Sequence, residues 1–503
     1  MICFNTPVSV SVCRDGIWNT AGGTVSVEPS GIYLAADRAS WVKLEWEADF
    51  AANALVLGDA WERTYGDVCW RRIGQQPFFQ WYLAIKDPAS GIVHCIGVKT
   101  GPAALCCWFV SQNRLSLLLD VRCGCKDTLF EGRRVCLAEP IQYVRQGDAF
   151  EILREFCTMM CTSPKRLSVP FYGGDDWYTC YGDNSFSKVL DHAKILADCA
   201  EGLQNRPYQT IDAGWQLCHN WHSGEEYIGG PYRYCNDKFG SMKDMADAIA
   251  ALDVRPGIWI RPMETVEYVP EGAYLRRLKN IKYLDPTHPY AREKMLDDIR
   301  TLRDWGYQLI KHDFAVVDTF GRYAFEWTES AVEGDWSFYD THRTSAEIVK
   351  AYYEETVQAA PDVLFIACNT LSHLSAGIFH IYRSGDDTSG RDFSRTVKMG
   401  VNTLAFRGVQ HNTFYTVDGD CVGITSDIPW EKNEMWLRLL KYSGTSLNVS
   451  VEAACYTSAV RQAITEAFAV AAETHPIAKP LDWENSMTPR IWETFDGIKE
   501  FQW

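Results

Sequence analysis

Lys311 and Asp313 stand two residues apart at the end of the run Tyr307-Gln308-Leu309-Ile310-Lys311-His312-Asp313-Phe314. Apolar positions that lead abruptly into charge read as a short buried strand and its end. Residues i and i+2 of a strand share a face, so the ammonium and the carboxylate point the same way. A nearby positive charge favours the ionised form of an acid, and an ionised carboxylate can act as a nucleophile. A second acidic pair, Asp386-Asp387, follows Arg383. Other acids around Asp387 would raise its proton affinity, which suits a proton donor. Glycoside hydrolysis needs one carboxylate to attack the anomeric carbon and one carboxylic acid to protonate the leaving oxygen. Position in the fold sets their pKa values apart. Lys-x-Asp alone reads equally as a salt-bridged strand end, since charges at element ends are ordinary.

The elements that must hold these groups follow from hydrophobic periodicity. Residues 166–475 alternate short apolar runs with amphipathic helical stretches, the signature of parallel βα units. Strands are expected at 169–172, 208–212, 254–260, 307–313, 363–368, 379–383, 402–406 and 413–417. Helices are expected at 185–200, 241–252 and 344–359. Another precedes the Lys-x-Asp strand, with Pro289 at its start and Gly306 at its stop. Eight such units predict a (β/α)8 barrel, an α/β TIM-type fold whose catalytic groups sit at the C-terminal strand ends. Those ends carry Asp175, Asp176, Trp177, Asp212, Trp215, Trp259, Lys311, Asp313, Cys368, Arg383, Asp386 and Asp387.

Residues 1–165 alternate differently, as in Val8-Ser-Val-Ser-Val and Trp41-Val-Lys-Leu-Glu-Trp. Period-two runs separated by turns such as Asp15-Gly16 predict an N-terminal β-sandwich domain, closed by a helix at 149–160. Residues 58–70 pack Trp61, Tyr65 and Trp70 among charged side chains. This stretch reads either as an inter-domain contact or as a loop capping the barrel's active face, with Trp61 and Tyr65 at an outer subsite. Residues 476–503 form a short C-terminal segment with room for a strand or two.

The 503 residues carry 49 Lys and Arg against 65 Asp and Glu, a net charge of −16. That argues against nucleic acid, whose binders need basic patches, and suits a neutral substrate. The 19 Trp fit a sugar cleft, where C–H-rich faces pack on π-systems. The 18 Cys are scattered and read as reduced, small apolar residues. No basic and apolar leader and no apolar run of membrane-spanning length is present, so a cytoplasmic protein with no membrane partner is expected. No metal-ligand spacing, Gly-rich phosphate loop or Gly-x-Ser-x-Gly elbow appears, and no cofactor is expected. His312, His373 and His380 read as packed core residues. His411-Asn412 is a candidate sugar contact, and Asp418 with Asp420 reads as a turn.

Five stretches taken in order carry a resemblance: Trp177-Tyr-Thr-Cys-Tyr-Gly182, Arg206-Pro-Tyr-Gln-Thr-Ile-Asp-Ala-Gly-Trp-Gln216, Gly257-Ile-Trp259, Leu309-Ile-Lys-His-Asp-Phe314 and Arg383-Ser-Gly-Asp-Asp-Thr388. Together with Asp59-Ala-Trp-Glu-Arg-Thr-Tyr-Gly66, the chain resembles the α-galactosidases of glycoside hydrolase family 36 and their relatives in family 27. The resemblance implies Asp313 as nucleophile, Lys311 on sugar hydroxyls, Arg383 as a sugar-binding Arg and Asp387 as acid/base. Asp386 competes with Asp387, which keeps the four-residue spacing from Arg383. Asp176, Trp177, Asp212, Trp215, Trp259 and Cys368 would bind substrate.

The chain departs from the family where Asp-Asp-Gly-Trp reads Asp212-Ala213-Gly214-Trp215, where Arg261 replaces a Glu, and where Asn369-Thr-Leu-Ser replaces a Gly-rich run after Cys368. The family's larger C-terminal β-domain also has no counterpart here. A lost carboxylate partner for a sugar hydroxyl weakens galactose by about 1.5–3 kcal/mol. The implied function is therefore a retaining α-glycosidase with an oligosaccharide or glycoside substrate. α-N-acetylgalactosaminidase, another α-glycosidase, a transglycosylase and an inactive sugar-binding homologue are the alternatives, and relatives suggest a homo-oligomer. A retaining mechanism requires the two carboxyl groups roughly 5–5.5 Å apart.

Overall fold

A computed structural model of the chain describes residues 2–217 and 229–503. The alternating N-terminal runs form two larger antiparallel sheets, one of ten strands and one of three, and a two-stranded pair of Arg38–Ala39 with Thr128–Leu129. Trp41–Glu47 turns Val42, Leu44 and Trp46 inward and its polar residues outward. The three-stranded sheet contributes Ile32, Leu34 and Leu137 to the same core as Leu44, Leu117 and Leu119, which is the sandwich arrangement. The helix Ala149–Met160 follows, capped by Asp148, whose carboxylate accepts from the N–H groups of Phe150 and Glu151.

The barrel sheet is wholly parallel. From one end its path runs Thr416–Asp418, Ile381–Arg383, Leu364–Ala367, Leu309–His312, Arg255–Ile260, Tyr208–Ile211, Tyr172–Asp175, Leu447–Val451 and Cys421–Ile424. The two end segments are separated in sequence only by Gly419 and Asp420, the latter at φ 74°. They are halves of one bent strand, so nine segments make eight strands and the sheet closes into a (β/α)8 barrel. Capping sets its helices. Ser185, Ser241 and Thr344 accept from the N–H groups of Lys188, Asp244 and Glu347. Pro289 opens Pro289–Asp304, and Gly306 at φ 99° ends that connection before the Lys311 strand.

Three strand assignments change. The first strand lies at Tyr172–Asp175 rather than 169–172, because Gly173 is needed where the next strand comes close. A Cβ there would lie 2.0 Å from the Tyr208 carbonyl oxygen. Residues 402–406 are not a strand. They continue a π-helical turn, Val397–Asn402, into the helix Thr403–Arg407, buried on every side. An apolar run without a polar face has no period to separate helix from strand. The 413–417 stretch supplies the seventh strand, and the eighth is Leu447–Val451, after the helix Trp430–Ser443.

At the C-terminus a three-stranded sheet of Lys479–Pro480, Ile491–Thr494 and Gly497–Glu500 follows the helix Ser458–Ala471. Trp483 in this segment packs edge-on against Trp70 and Phe150. Every described cysteine is unpaired, and Cys218 lies outside the described residues. No described helix is long and apolar enough to cross a membrane.

Candidate active site

The C-terminal ends of five barrel strands bring the charged groups together. Lys311 is the centre. Its Nζ lies 2.9 Å from Asp175 Oδ2 and 2.6 Å from Asp212 Oδ2, and all three side chains are buried. The ammonium is therefore committed to the first and second strands and not to Asp313, its expected partner. Asp212 also accepts from the Ala213 N–H at 2.7 Å. Burial, then the charge of Asp175, pushes the Asp212 carboxyl well above its usual range, while Lys311 opposes the shift.

Asp313 is held by two N–H donors, Trp259 Nε1 to Oδ2 at 3.0 Å and its neighbour Phe314 N to Oδ1 at 2.7 Å. Phe314 sits in the left-handed region, at φ 58°. That sharp turn ends the strand just after the carboxylate. Trp259 is in turn fixed through its carbonyl, which accepts from Trp215 Nε1 at 3.0 Å. Both indoles are almost wholly buried, so they support Asp313 rather than offering an open ring face. Trp177 is half-buried and lies 5.6 Å from the Tyr181 ring.

Asp176 does not face Lys311. It accepts from the Asp212 N–H at 2.8 Å and from Asn184 Nδ2 at 3.2 Å, and so fixes the turn that presents Asp212. Burial, reinforced by Asp175, lifts its pKa to about 7.

Arg383 closes the opposite side. Its Nη2 lies 2.8 Å from Asp420 Oδ2 and 3.3 Å from Asp387 Oδ1, and its Nη1 lies 3.7 Å from Cys368 Sγ. Burial alone would raise the Asp387 pKa, but Arg383, Arg63, Lys311 and Arg395 outweigh it and hold the carboxyl below its ordinary value. The expectation that neighbouring acids raise it is overturned, because those acids are themselves neutralised. Asp386 is clamped by Arg63 at 2.8 Å and Arg395 at 2.7 Å.

Asp420, read from sequence as a turn residue, belongs to this cluster. It pairs with Arg383 and accepts from Tyr178 Oη and from Thr388 N at 2.8 Å. The break between Asp418 and Cys421 that bends the seventh strand also aims this carboxylate inward.

The segment 58–70 contacts the barrel in register with it. Thr64 N donates to the Ser384 carbonyl at 3.0 Å, and Asp386 N donates to the Thr64 carbonyl at 3.1 Å. Arg63 reaches Asp386 and lies 3.5 Å from Cys368 Sγ. Asp59 pairs with Arg407 at 2.8 Å, anchoring the loop's base. The inter-domain contact is the reading these bonds support, and it carries Arg63 to Asp386 and Cys368. It also carries Glu62, a fully buried carboxyl that sequence reasoning passed over. Burial raises its pKa to about 7, against the pull of Arg63.

Other residues fall elsewhere. The structure does not bring Trp61 to an outer subsite; its ring is fully buried against Trp81 and Trp327, with Nε1 donating to the Cys106 carbonyl at 2.8 Å. His411-Asn412 lies at the far end of the barrel, beside Leu167, Thr416 and Ser446, away from any sugar contact. His312 bonds to Tyr352 Oη at 3.0 Å, and burial lowers its pKa to about 4. Arg261 is consumed by Asp318 at 2.7 Å and Glu264 at 2.9 Å. Among the described residues no group of His, Cys, Asp and Glu is arranged to hold a metal ion.

The barrel and its N-terminal sheets compare with solved structures over nearly the whole chain. The α-galactosidase TtGalA of Thermus thermophilus, in complex with p-nitrophenyl α-D-galactopyranoside, aligns with a TM-score of 0.64 at 15% identity. The alignment covers 99% of this chain and 98% of that one. The fold is that of the family 36 α-galactosidases. The Geobacillus stearothermophilus family 36 enzyme AgaA, as its A355E form with 1-deoxygalactonojirimycin, gives 0.59 at 12% identity, over 88% of this chain and 65% of that one. The α-galactosidase of Lactobacillus brevis gives 0.58 at 13%, over 88% and 62%. No family model and no curated protein matches by sequence. The family 36 fold is thus present here at 12–15% identity to these structures.

Proposed function

We propose that the chain is a retaining α-glycoside hydrolase of the α-galactosidase type. One observation carries this reading. Two carboxylates, Asp313 and Asp387, stand at the ends of separate barrel strands in one cluster, the first oriented by two N–H donors and the second paired with Arg383. In the first step an Asp313 oxygen attacks the anomeric carbon as the glycosidic C–O bond breaks. Asp387 gives its proton to the leaving oxygen, which departs as an alcohol, and a glycosyl ester of Asp313 remains. Asp387, now a carboxylate, takes a proton from water. The water oxygen attacks the anomeric carbon, and Asp313 leaves as a carboxylate.

Lys311 and Asp212 bind sugar hydroxyls on this reading, and Trp177 flanks the ring. Asp387 is partly open to solvent, its side chain 36% exposed. A bound sugar strips that water away, which favours the neutral acid and readies it as a donor. Ala213 removes one of the family's two adjacent acids and leaves Asp212 as the remaining carboxylate there. The sugar therefore includes galactose and its 2-N-acetyl or 6-altered analogues.

The test is hydrolysis of p-nitrophenyl α-galactoside, α-N-acetylgalactosaminide, α-glucoside, β-L-arabinopyranoside and α-L-fucoside by wild type and Asp313→Ala. Cleavage with retained anomeric configuration, lost in the variant, supports the reading. Inverted product, or activity unchanged in Asp313→Ala, refutes it. Sugar binding without cleavage of any member would instead favour a binding protein.

A further inference from the structure

Asp420 has no task in the mechanism above, yet four donors converge on one of its oxygens. Oδ2 lies 2.8 Å from Arg383 Nη2 and accepts from Thr388 N at 2.8 Å, from Thr388 Oγ1 at 3.0 Å and from Tyr178 Oη. The residue sits at φ 74° in the break between Asp418 and Cys421, and its own N–H donates to Asp418 Oδ1 at 3.0 Å. Two of its partners bracket Asp387 in the chain. Arg383 lies four residues before that acid, and Thr388 directly follows it. Asp420 thus fixes both flanks of the proton donor.

Arg383 Nη2 is shared between two carboxylates. It lies 2.8 Å from Asp420 and 3.3 Å from Asp387, whose side chains are 6% and 36% exposed. The other cations near Asp387 have anions of their own. Arg63 and Arg395 clamp Asp386, and Lys311 bonds Asp175 and Asp212. The charge of Arg383 is what remains to be divided between Asp387 and Asp420. Beneath them the barrel interior closes over a space of about 10 Å3 lined by Asp175, Lys311, Arg383, Asp418, Asp420 and Asn448. That is room for one water at most, so solvent screens these charges poorly. Burial raises the Asp420 carboxyl above its ordinary value, against the pull of Arg383. Its donors favour the ionised form, since each requires an oxygen lone pair. Asp420 is in this way the fixed anion of the pair, and Asp387 the member that exchanges protons.

We propose that Asp420 is the positioning residue of the acid/base: its carboxylate holds the Arg383 guanidinium, and so leaves Asp387 able to carry the proton that the leaving oxygen needs. The proposal rests on the hydrolase reading above and assigns the residue that sets the proton donor's working range. Without the Asp420 charge, Arg383 stands unopposed 3.3 Å from Asp387 and favours its ionised form. The other groups that act on Asp387 from their own elements are Arg63, Lys311, Arg395 and Tyr178, and the change leaves all four in place.

Asp420→Asn and Asp420→Gly test this. Asn keeps the shape and an acceptor oxygen, Gly removes both, and each tolerates a left-handed backbone. They and wild type are assayed from about pH 4 to 9 on the methyl and p-nitrophenyl glycosides of the sugar that wild type cleaves, with thermal melts to check folding. Departing methanol needs a proton, and p-nitrophenolate does not. In both variants the alkaline limb of kcat/KM for the methyl glycoside should move down by about one pH unit, the lower end of the effect of an adjacent charge. On the alkaline side that is a loss of about 10-fold, while kcat/KM for the p-nitrophenyl glycoside stays near the wild-type value. If one variant does not fold, the limb of the other decides. An unmoved limb, a limb moved upward, equal losses on both glycosides, or a loss confined to Asp420→Gly overturns the charge role and leaves the hydrolase reading standing. A wild type inert on every glycoside overturns that reading and this one with it.

Discussion

Lys311→Met should destabilise the protein by an amount that grows with pH. The ammonium sits 2.9 Å from Asp175 and 2.6 Å from Asp212, with all three side chains more than nine-tenths buried. Methionine keeps the volume but removes the cation that bonds both carboxylates. Removing one partner of a buried ion pair costs about 3–5 kcal/mol, because the remaining charge is stranded. The stranded carboxylates escape that cost by taking protons. Asp212 already holds its proton above the ordinary range, through burial and the charge of Asp175, and loss of Lys311 raises it further.

A carboxyl whose folded pKa exceeds its unfolded value binds more protons when folded. Stability then falls as pH rises from the unfolded pKa through the folded one. The deficit of the variant should be smaller near pH 5 than near pH 8. With an unfolding entropy of about 2.1 cal/mol/K per residue, a chain of this size loses about 1 °C in Tm per kcal/mol, so a drop of about 3–5 °C is expected at pH 8. Thermal melts followed by circular dichroism at both pH values are the assay. A deficit equal at the two pH values, or larger at pH 5, would refute the assignment of Lys311 as the counter-charge.

The remaining predictions concern protons and packing. Asp387 is held below its ordinary pKa in the free protein and loses solvent beneath the sugar. The alkaline limb of kcat, which reports the complex, should therefore lie at higher pH than that of kcat/KM; coincident limbs would contradict this. Asp387→Asn should depress turnover of alkyl glycosides far more than of p-nitrophenyl glycosides, whose leaving group needs no proton, and equal losses would argue against the acid role. Glu62 rises from 4.5 to about 7 on burial, which makes folding less favourable by about 3 kcal/mol as pH climbs through that interval. Glu62→Gln should flatten the stability profile between pH 5 and 7.5 in urea titrations, and parallel profiles would exclude Glu62 as a source of that slope. Trp61→Ala should cost about 3–5 kcal/mol through its cavity, and selective loss of substrate affinity at unchanged stability would return Trp61 to the site.

Much of the architecture was legible because it is written in short-range order. Ser185, Ser241 and Thr344 cap helices, Pro289 opens one, and Val42, Leu44 and Trp46 alternate, all through contacts within a few residues. Lys311 and Asp313 were readable for the same reason, since a strand end is a local event. Where locality fails, the reading failed. Residues 402–406 are apolar on every side, and only their surroundings make them a helix that delivers Arg407 to Asp59. The seventh strand breaks at Gly419 and Asp420 because its halves pair with different neighbours, the sixth strand and the eighth, and that break turns Asp420 from a turn residue into a partner of Arg383. Which acid each cation faces was also undetermined by spacing. Lys311 is two residues from Asp313 yet bonds Asp175 and Asp212, which lie 136 and 99 residues away. Charges pair across space in a low-dielectric interior, so the identities of the acids came from the sequence, while their partners, and hence their protons, were decided by closure of the barrel.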